Sequence, residues 1–131
     1  MAFDPQMKVL VVDDMQTMRK ILKTMLTKMG FQNIQEADDG IPAWDMIQKA
    51  KTEGAPFQFI LSDWNMPGMT GIDLLKNVRA DENMKKVPFL LITAEGEQSN
   101  VVTAIKAGVT NFVVKPFAYD ALQQKIQKIF P

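Results

Sequence analysis

The sequence of 131 residues contains no cysteine and no histidine. Without cysteine, the chain cannot form disulfides, use a thiolate as a nucleophile or bind a metal through sulfur. Without histidine, it has no imidazole to act as a base, bind a metal or carry a phosphoryl group. Any chemistry must therefore come from carboxylates, hydroxyls, lysine, the backbone or a bound ion.

The sequence also lacks an excess of charge of either sign, with 15 Lys and Arg residues against 15 Asp and Glu residues. This balance argues against nucleic-acid binding, which usually requires a basic surface. The N-terminal segment lacks the layout of a signal peptide, and no apolar run is long enough to span a bilayer. We therefore expect a cytoplasmic, monomeric protein with no nucleic-acid or membrane partner.

Short apolar runs alternate with amphipathic helical patterns five times along the chain. Most of the runs are almost continuously apolar, which is typical of strands buried on both faces of a parallel sheet. The second run is polar, which suits a strand at the edge of the sheet. The first helical pattern ends at Gly30, because glycine readily adopts the left-handed conformation that often ends a helix. The predicted strands are residues 9–12, 34–37, 57–61, 89–92 and 112–114.

This alternation, with short loops, indicates a doubly wound α/β fold. Five parallel strands with the second at an edge fit the flavodoxin-like order 2-1-3-4-5, with five helices distributed over both faces. The sequence shows no internal repeat and no linker-like segment. We therefore expect residues 1–131 to form one domain without an attached output domain.

Polar residues follow four of the predicted strands, at the sheet edge where such folds bind ligands. Asp13 and Asp14 follow the first strand, Asp63 the third, Thr93 the fourth and Lys115 the fifth. Each residue alone has an ordinary explanation as a helix cap, a turn acid or a solvated lysine. Their convergence on one edge favours a functional site.

Clustered carboxylates repel one another unless a proton or a cation intervenes. Oxygen donors of this kind suit Mg²⁺, which Asp13, Asp14, Asp63 and the backbone carbonyl of Asn65 could bind.

A carboxylate can also accept a phosphoryl group as an acyl phosphate. Asp63 is the predicted acceptor, because it follows the central strand. Lys115 and Thr93 would then interact with the phosphoryl oxygens. Thr93 at the end of the fourth strand and Phe112 on the fifth also predict a switch, in which Phe112 fills the space left when Thr93 moves toward the phosphoryl group.

The motifs around these residues resemble the receiver domain of bacterial response regulators. They are VVDD at 11–14, LSDWNMPG at 61–68, ITAE at 92–95 and VKPF at 114–117, and the similarity extends over residues 9–130. The resemblance implies that a histidine kinase phosphorylates Asp63 in a Mg²⁺-dependent reaction. It also implies a cis Lys115–Pro116 bond and a phosphatase as a further partner. Such a protein catalyses only its own phosphorylation and dephosphorylation.

The length and the segment 62–67 are similar to single-domain receivers of the chemotaxis type. In those proteins, the face formed by the fourth helix, fifth strand and fifth helix binds the flagellar motor switch. The residues that the resemblance assigns to this face are Val101, Ile105, Val109, Phe112, Phe117, Lys125 and Lys128.

Two departures from that pattern leave the output open. Phe112 stands where such receivers commonly have tyrosine, and Glu95 and Glu97 stand where lysines are usual. Acidic residues there would weaken attraction to an acidic target. A receiver that serves another pathway, or acts as a phosphate sink, is therefore the alternative.

Two other classes use the same fold or similar chemistry. An aspartyl-phosphate phosphatase of the haloacid dehalogenase type would need an Asp-x-Asp motif, whereas Asp13 and Asp14 are adjacent. A flavodoxin-like FMN carrier would need a hydroxyl-rich phosphate loop where these carboxylates lie. Elsewhere, most of the methionines between positions 15 and 29 are predicted to fill the core. Asp38 and Asp39 predict a turn or a helix start.

Overall fold

The computed structural model describes residues 3–94 and 98–131. Within these ranges, five strands alternate with five helices. The strands are β1 (Lys8–Val12), β2 (Asn33–Ala37), β3 (Phe59–Asp63), β4 (Phe89–Ala94) and β5 (Asn111–Lys115). The helices are α1 (Gln16–Met29), α2 (Gly40–Thr52), α3 (Gly71–Ala80), α4 (Gln98–Lys106) and α5 (Tyr119–Ile129).

The strands form one parallel sheet in the order β2-β1-β3-β4-β5, as predicted for a flavodoxin-like fold. The half-exposed β2 lies at an edge, as its polar sequence indicated. No helix among the described residues is both long enough and apolar enough to cross a bilayer.

Two hydrophobic layers cover the sheet, because side chains of the central strands point alternately to its two faces. Leu22, Leu26 and Leu122 of α1 and α5 pack on one face, together with Val9 and Val11 of β1. Helices α2, α3 and α4 cover the other face. Their buried residues are Ala43, Ile47, Ala50, Ile72, Leu74, Leu75, Val78 and Ala104.

Local signals explain where the helices begin and end. Gly30 ends α1 in the left-handed region, with φ 114°, as predicted. Asp39 is the N-cap of α2, which confirms the prediction of a helix start there. The prediction that most of the methionines between positions 15 and 29 fill the core is confirmed: those at 18, 25 and 29 pack against it, and Met15 is 58% exposed.

The prediction of residues 57–61 as the third strand was wrong by two positions. Phe57 is buried, but pairing with β1 begins with Phe59 opposite Val9. An apolar run reports burial, whereas a strand requires backbone pairing with its neighbours. The shift makes Asp63 the last residue of β3 instead of the second residue after it.

Candidate functional site

The predicted polar residues meet at the carboxyl edge of the sheet. Asp13 directly follows β1, Asp63 ends β3 and Lys115 ends β5, while Thr93 is the penultimate residue of β4. Asp13, Asp63 and Thr93 are all less than 10% exposed, and Asp14 is exposed. Parallel strands place their carboxyl ends together, so residues distant in sequence become neighbours.

Lys115 lies between the two buried carboxylates. Its Nζ is 3.1 Å from Oδ1 of Asp63 and 3.5 Å from Oδ2 of Asp13. One oxygen each from Asp13, Asp14 and Asp63 lie within 4.8 Å of one another. The edge therefore holds three carboxylates against a single ammonium group among the described residues.

Burial is the main cause of an unfavourable electrostatic balance at this site. It raises the pKa of Asp13, against the opposing effects of the Met15 N–H and Lys115. It also raises the pKa of Asp63, together with repulsion from Asp13, and Lys115 only partly offsets this. A further positive charge would therefore stabilise the ionised carboxylates.

The donor set fits a hard divalent cation. Within the part of the chain that the structure describes, Oδ2 of Asp13 is buried and accepts no hydrogen bond. Lys115 is its ionic neighbour, at 3.5 Å. Several carboxylate oxygens with unused lone pairs and no nitrogen or sulfur ligand match Mg²⁺ better than zinc or copper.

Arg19 supports Asp13 from α1, a contact that the sequence analysis missed. Its Nη1 donates to the carbonyl oxygen of Asp13 at 2.7 Å, and its Nε lies 3.3 Å from Glu36 on β2. The N–H of Met15 also donates to Oδ1 of Asp13 at 2.9 Å. An arginine on the polar face of an amphipathic helix is usually solvated, so the position of Arg19 in the sequence did not predict its contact with Asp13.

Residues 64–70 form the loop after Asp63 and carry Asn65, the predicted carbonyl ligand. Asn65 is exposed. The Trp64 N–H donates to Ile92 at 2.9 Å, and the Gly71 N–H donates to the Trp64 carbonyl at 2.9 Å. Asp39 also contacts this loop, through the N–H groups of Gly68 and Met69. The sequence predicted a turn or a helix start at Asp39 but not this contact with the loop.

A small pocket lies beside Thr93, on the face of the sheet that α4 covers. Besides Thr93, its lining residues are Trp64, Leu91, Val101, Ala104 and Phe112. The Nζ of Lys125 on α5 lies 5.1 Å from the centre of the Phe112 ring, within the range of a cation–π contact. Thr93 and Phe112 thus share one pocket, which joins the carboxyl edge to α4.

Most residues assigned to a partner face lie near this pocket or on the adjoining surface. Val109 and Phe112 are half-buried against the core, while Ile105 is 63% exposed. Phe117 instead packs against the layer of α1 and α5, and lines a different pocket with Met18. Val101 and Lys125 are half-buried, and Lys128 is exposed.

Two further predictions concern the chain around the site. The Lys115–Pro116 bond is cis, as the resemblance implied. The acidic positions Glu95 and Glu97 lie outside the described residues.

The response regulator receiver domain family matches residues 9–127 of this sequence. The chain therefore belongs to that family, whose members are the phosphate-accepting switches of two-component systems.

Within that family, the similar proteins are of the CheY type. The chain is 52% identical to the chemotaxis protein CheY-3 of Vibrio cholerae over 124 residues, covering 95% of this chain and 92% of that protein. It is 51% identical to the chemotaxis protein CheY of Pseudomonas aeruginosa, covering 95% of this chain and 96% of that protein. This chain is accordingly a receiver domain of the CheY type, which is a signalling protein.

Solved structures agree with this assignment. The chemotaxis response regulator CheY4 of Vibrio cholerae has a TM-score of 0.80 and 34% identity, covering 95% of this chain and 98% of that chain. The receiver domain of a sensor histidine kinase of Pseudomonas aeruginosa has a TM-score of 0.79 and 26% identity, covering 94% and 96%. That structure is described as having a magnesium ion coordinated in its active site cleft.

Proposed function

We propose that Asp63 accepts a phosphoryl group from the phosphohistidine of a histidine kinase. A carboxylate oxygen of Asp63 forms the new bond to phosphorus as the bond from phosphorus to the kinase imidazole breaks. Water later hydrolyses the acyl phosphate, releasing inorganic phosphate and restoring the carboxylate. The observation that carries this proposal is the buried Asp63 carboxylate, 3.1 Å from Lys115 Nζ and beside two further carboxylates.

In this proposal, Asp13, Asp14, Asp63 and the carbonyl of Asn65 hold Mg²⁺. When bound, the ion would neutralise charge on the phosphoryl oxygens. The buried Asp13 oxygen without a hydrogen-bond donor supports this assignment. The magnesium ion of the related receiver from Pseudomonas aeruginosa supports it as well.

Lys115 and Thr93 serve the phosphoryl group itself. Lys115 Nζ, already within ion-pair distance of Asp63, donates to one phosphoryl oxygen as a compact point charge. The Thr93 hydroxyl donates to another, because Thr93 lies on the strand next to β3. This role draws Thr93 toward Asp63 and away from the pocket that it shares with Phe112.

The proposed output is a change in the surface formed by α4, β5 and α5. Phe112 moves inward as Thr93 leaves the pocket, and α4 adjusts to the new packing. Ile105 and Val102 are 63% and 54% exposed on α4, so the surface offers apolar anchors to a partner. The chemotaxis proteins among the relatives make the flagellar motor switch the proposed partner.

The proposal also covers the location, oligomeric state and further partners that we expect from the sequence. The receiver acts as a cytoplasmic monomer, and a phosphatase is a further partner. A non-motor pathway is the second candidate, favoured by Phe112, since its ring has no hydroxyl to hydrogen-bond a partner.

Fluorescence of Trp64 tests both the site and the output. The protein is titrated with the N-terminal segment of a flagellar switch protein, with and without Mg²⁺ and beryllofluoride, in a Trp44→Phe background. Binding that tightens on activation supports the motor partner. A beryllofluoride response without tighter binding supports the second candidate. No response to Mg²⁺ and beryllofluoride, with Asp63→Asn behaving like the unsubstituted protein, would overturn the proposed function.

A further inference from the structure

We infer that Asp39 is a positioning residue for the phosphorylation site, because its carboxylate fixes the loop that carries Asn65. The inference rests on the proposed function, in which the Asn65 carbonyl is a Mg²⁺ ligand. Asp39 lies between β2 and α2 and does not belong to the carboxylate cluster of Asp13, Asp14 and Asp63. It acts on the metal site only through residues 64–70.

Asp39 makes more contacts than a helix cap requires. Its Oδ1 accepts a hydrogen bond from the Ile41 N–H at 3.0 Å, which is the usual cap contact within α2. The same oxygen accepts from the Met69 N–H at 2.9 Å, and Oδ2 accepts from the Gly68 N–H at 2.8 Å. One carboxylate therefore ties the start of α2 to the loop after Asp63.

The backbone of the two segments also approaches closely. The Gly40 N–H donates to the Met69 carbonyl at 3.2 Å. A methyl group at position 40 would overlap that carbonyl, and one at position 68 would lie 2.7 Å from Oδ1 of Asp39. Gly40 is therefore required for the contact, because the atom that a Cβ would overlap is backbone, whereas a Cβ at position 68 would displace the Asp39 carboxylate. This close fit indicates a specific junction between the segments.

Besides Asp39, the loop is anchored at its two ends and by the buried Met66. Trp64 and Gly71 fix the first residue and the exit into α3. Between them, Met66 is buried, whereas Asn65 and Pro67 are exposed. The hydrogen bonds to Asp39 hold residues 68 and 69 and limit how far Asn65 can move relative to Asp63.

The charge state of Asp39 supports this role. Burial opposes ionisation, but the N–H groups of Ile41, Gly68 and Met69 outweigh it and lower the pKa of Asp39. These hydrogen bonds therefore favour the ionised form of Asp39. It donates no hydrogen bond and can accept from donors of both segments at once.

Two substitutions test the role of Asp39 from opposite sides of the junction. Asp39→Asn keeps one carbonyl oxygen for the α2 cap but replaces the other acceptor with an amide that cannot accept from Gly68. Gly68→Ala leaves Asp39 intact and pushes its carboxylate away from the loop. Asp81→Asn is the matched control, because Asp81 also joins α2 to another segment through its carboxylate but lies after the C-terminal end of α3, away from the site.

Each protein is measured in the Trp44→Phe background, so that Trp64 alone reports Mg²⁺ binding. The readouts are the Mg²⁺ dissociation constant, the rate of phosphorylation by acetyl phosphate at saturating Mg²⁺, and the thermal midpoint. A role confined to capping α2 would lower the midpoint without changing Mg²⁺ affinity in the folded protein. A positioning role changes the affinity itself.

We expect Asp39→Asn and Gly68→Ala to weaken Mg²⁺ binding by roughly 10-fold, the lower end of the effect of residues that support metal ligands. Asp81→Asn should lower the midpoint but leave the dissociation constant within about 2-fold, since it touches no residue of the loop. Unchanged affinity in both junction variants would overturn the inference and leave the proposed function intact. Failure of the unsubstituted protein to bind Mg²⁺ would overturn the proposed function and, with it, this inference.

Discussion

The buried carboxylates of Asp13 and Asp63 oppose folding of the metal-free protein, because Lys115 only partly offsets the cost of burying them. Both are almost inaccessible to solvent, and Lys115 is the ammonium group that lies between them. Removing charge from such a cluster relieves repulsion and desolvation, whereas removing the lysine would leave two buried anions. The proposed function therefore requires charges that lower the stability of the metal-free protein.

Asp63→Asn should stabilise the metal-free protein and abolish phosphorylation. The raised pKa of Asp63 means that its ionised form is less favourable in the folded state than in the unfolded state. The gain is present above the folded-state pKa and shrinks as the pH falls toward the ordinary value of 3.8. Thermal unfolding measures it, at about 4 °C for each kcal/mol in a domain of this size.

Asp45→Asn is the control for this prediction, because Asp45 is an exposed carboxylate on α2. Its midpoint should change little. A lower midpoint for Asp63→Asn than for the unsubstituted protein would show that burial of Asp63 does not disfavour its charge.

Thr93→Ala should leave Asp63 able to accept a phosphoryl group but disconnect that event from α4. In the proposed mechanism, the Thr93 hydroxyl moves toward the phosphoryl group and out of the pocket that it shares with Phe112, and alanine has no hydroxyl to make that movement. Labelling by acetyl phosphate should persist, while partner affinity becomes independent of beryllofluoride. Thr24→Ala, which removes a hydroxyl bonded to Lys20 within α1, should switch normally. Normal switching by Thr93→Ala would contradict the coupling.

The sequence was sufficient to predict that residues at the ends of the strands lie together in one site. Asp13, Asp63 and Lys115 could be placed because parallel strands end at one edge of the sheet. Arg19 and Asp39 could not, since their contacts depend on where a side chain points and how a loop bends. Asp39 contacts residues about 30 positions away in the chain, and no periodicity reports such a pairing.

The elements of the fold were predictable in kind and order but not at their bounds. The second strand was recognised as an edge from its polar residues, and the structure confirms this. The third strand was placed two residues early, because Phe57 is buried without pairing to β1 in the ladder. Burial can be estimated from composition, whereas hydrogen-bond register depends on the neighbouring strand.

An ion pair between α2 and the residue after α3 gives a prediction at the scale of the elements. Asp81 accepts hydrogen bonds from Lys51 at 2.6 Å and Gln48 at 3.2 Å. These contacts, Lys51 first, lower the pKa of Asp81 from 3.8 to about 2. Asp81→Asn should therefore lower the free energy of unfolding at neutral pH, by about 1 kcal/mol for a hydrogen-bonded pair with partial exposure.

The pH dependence identifies the cause of that loss. A lowered pKa means that the stabilisation is present above pH 3.8 and disappears as the pH falls toward 2. Urea unfolding of the two proteins across this range should show their difference closing. Glu82→Gln, which breaks an exposed pair with Lys85, should have almost no effect at any pH. A difference that persists at pH 2 would assign the loss to packing instead.

The pocket of Thr93 and Phe112 and a cluster of aromatic rings lie on opposite faces of the sheet. The pocket of Thr93 and Phe112 belongs to the face covered by α2, α3 and α4. On the opposite face, aromatic rings join the N-terminal segment to the C-terminal end of α5. These rings are Phe3, Phe31, Phe59 and Phe130. A change at Asp63 can therefore reach α4 without disturbing the contacts that hold the two ends of the chain.

Arg79 limits how much of α4 can move when the Thr93 pocket repacks. Its Nε donates to the carbonyl of Gly108, just beyond α4, and its Nη1 donates to Val87, both at 2.7 Å. The C-terminal end of α4 is thus fixed to α3 and to the start of β4. Val101 and Ala104, which line the pocket, lie on the part of α4 before this anchor.

Activation should therefore alter amide hydrogen exchange unevenly across the molecule. With Mg²⁺ and beryllofluoride, peptides that cover residues 101–105 and 111–114 should change their exchange rates, because the Thr93 pocket repacks. Peptides that cover residues 25–31 and 126–131 should not, since the aromatic layer keeps its contacts. In Asp63→Asn, adding Mg²⁺ and beryllofluoride should leave the exchange rates of all these peptides unchanged. A shift of similar size in both layers would mean that activation changes the stability of the whole domain, and that the pocket is not its route to α4.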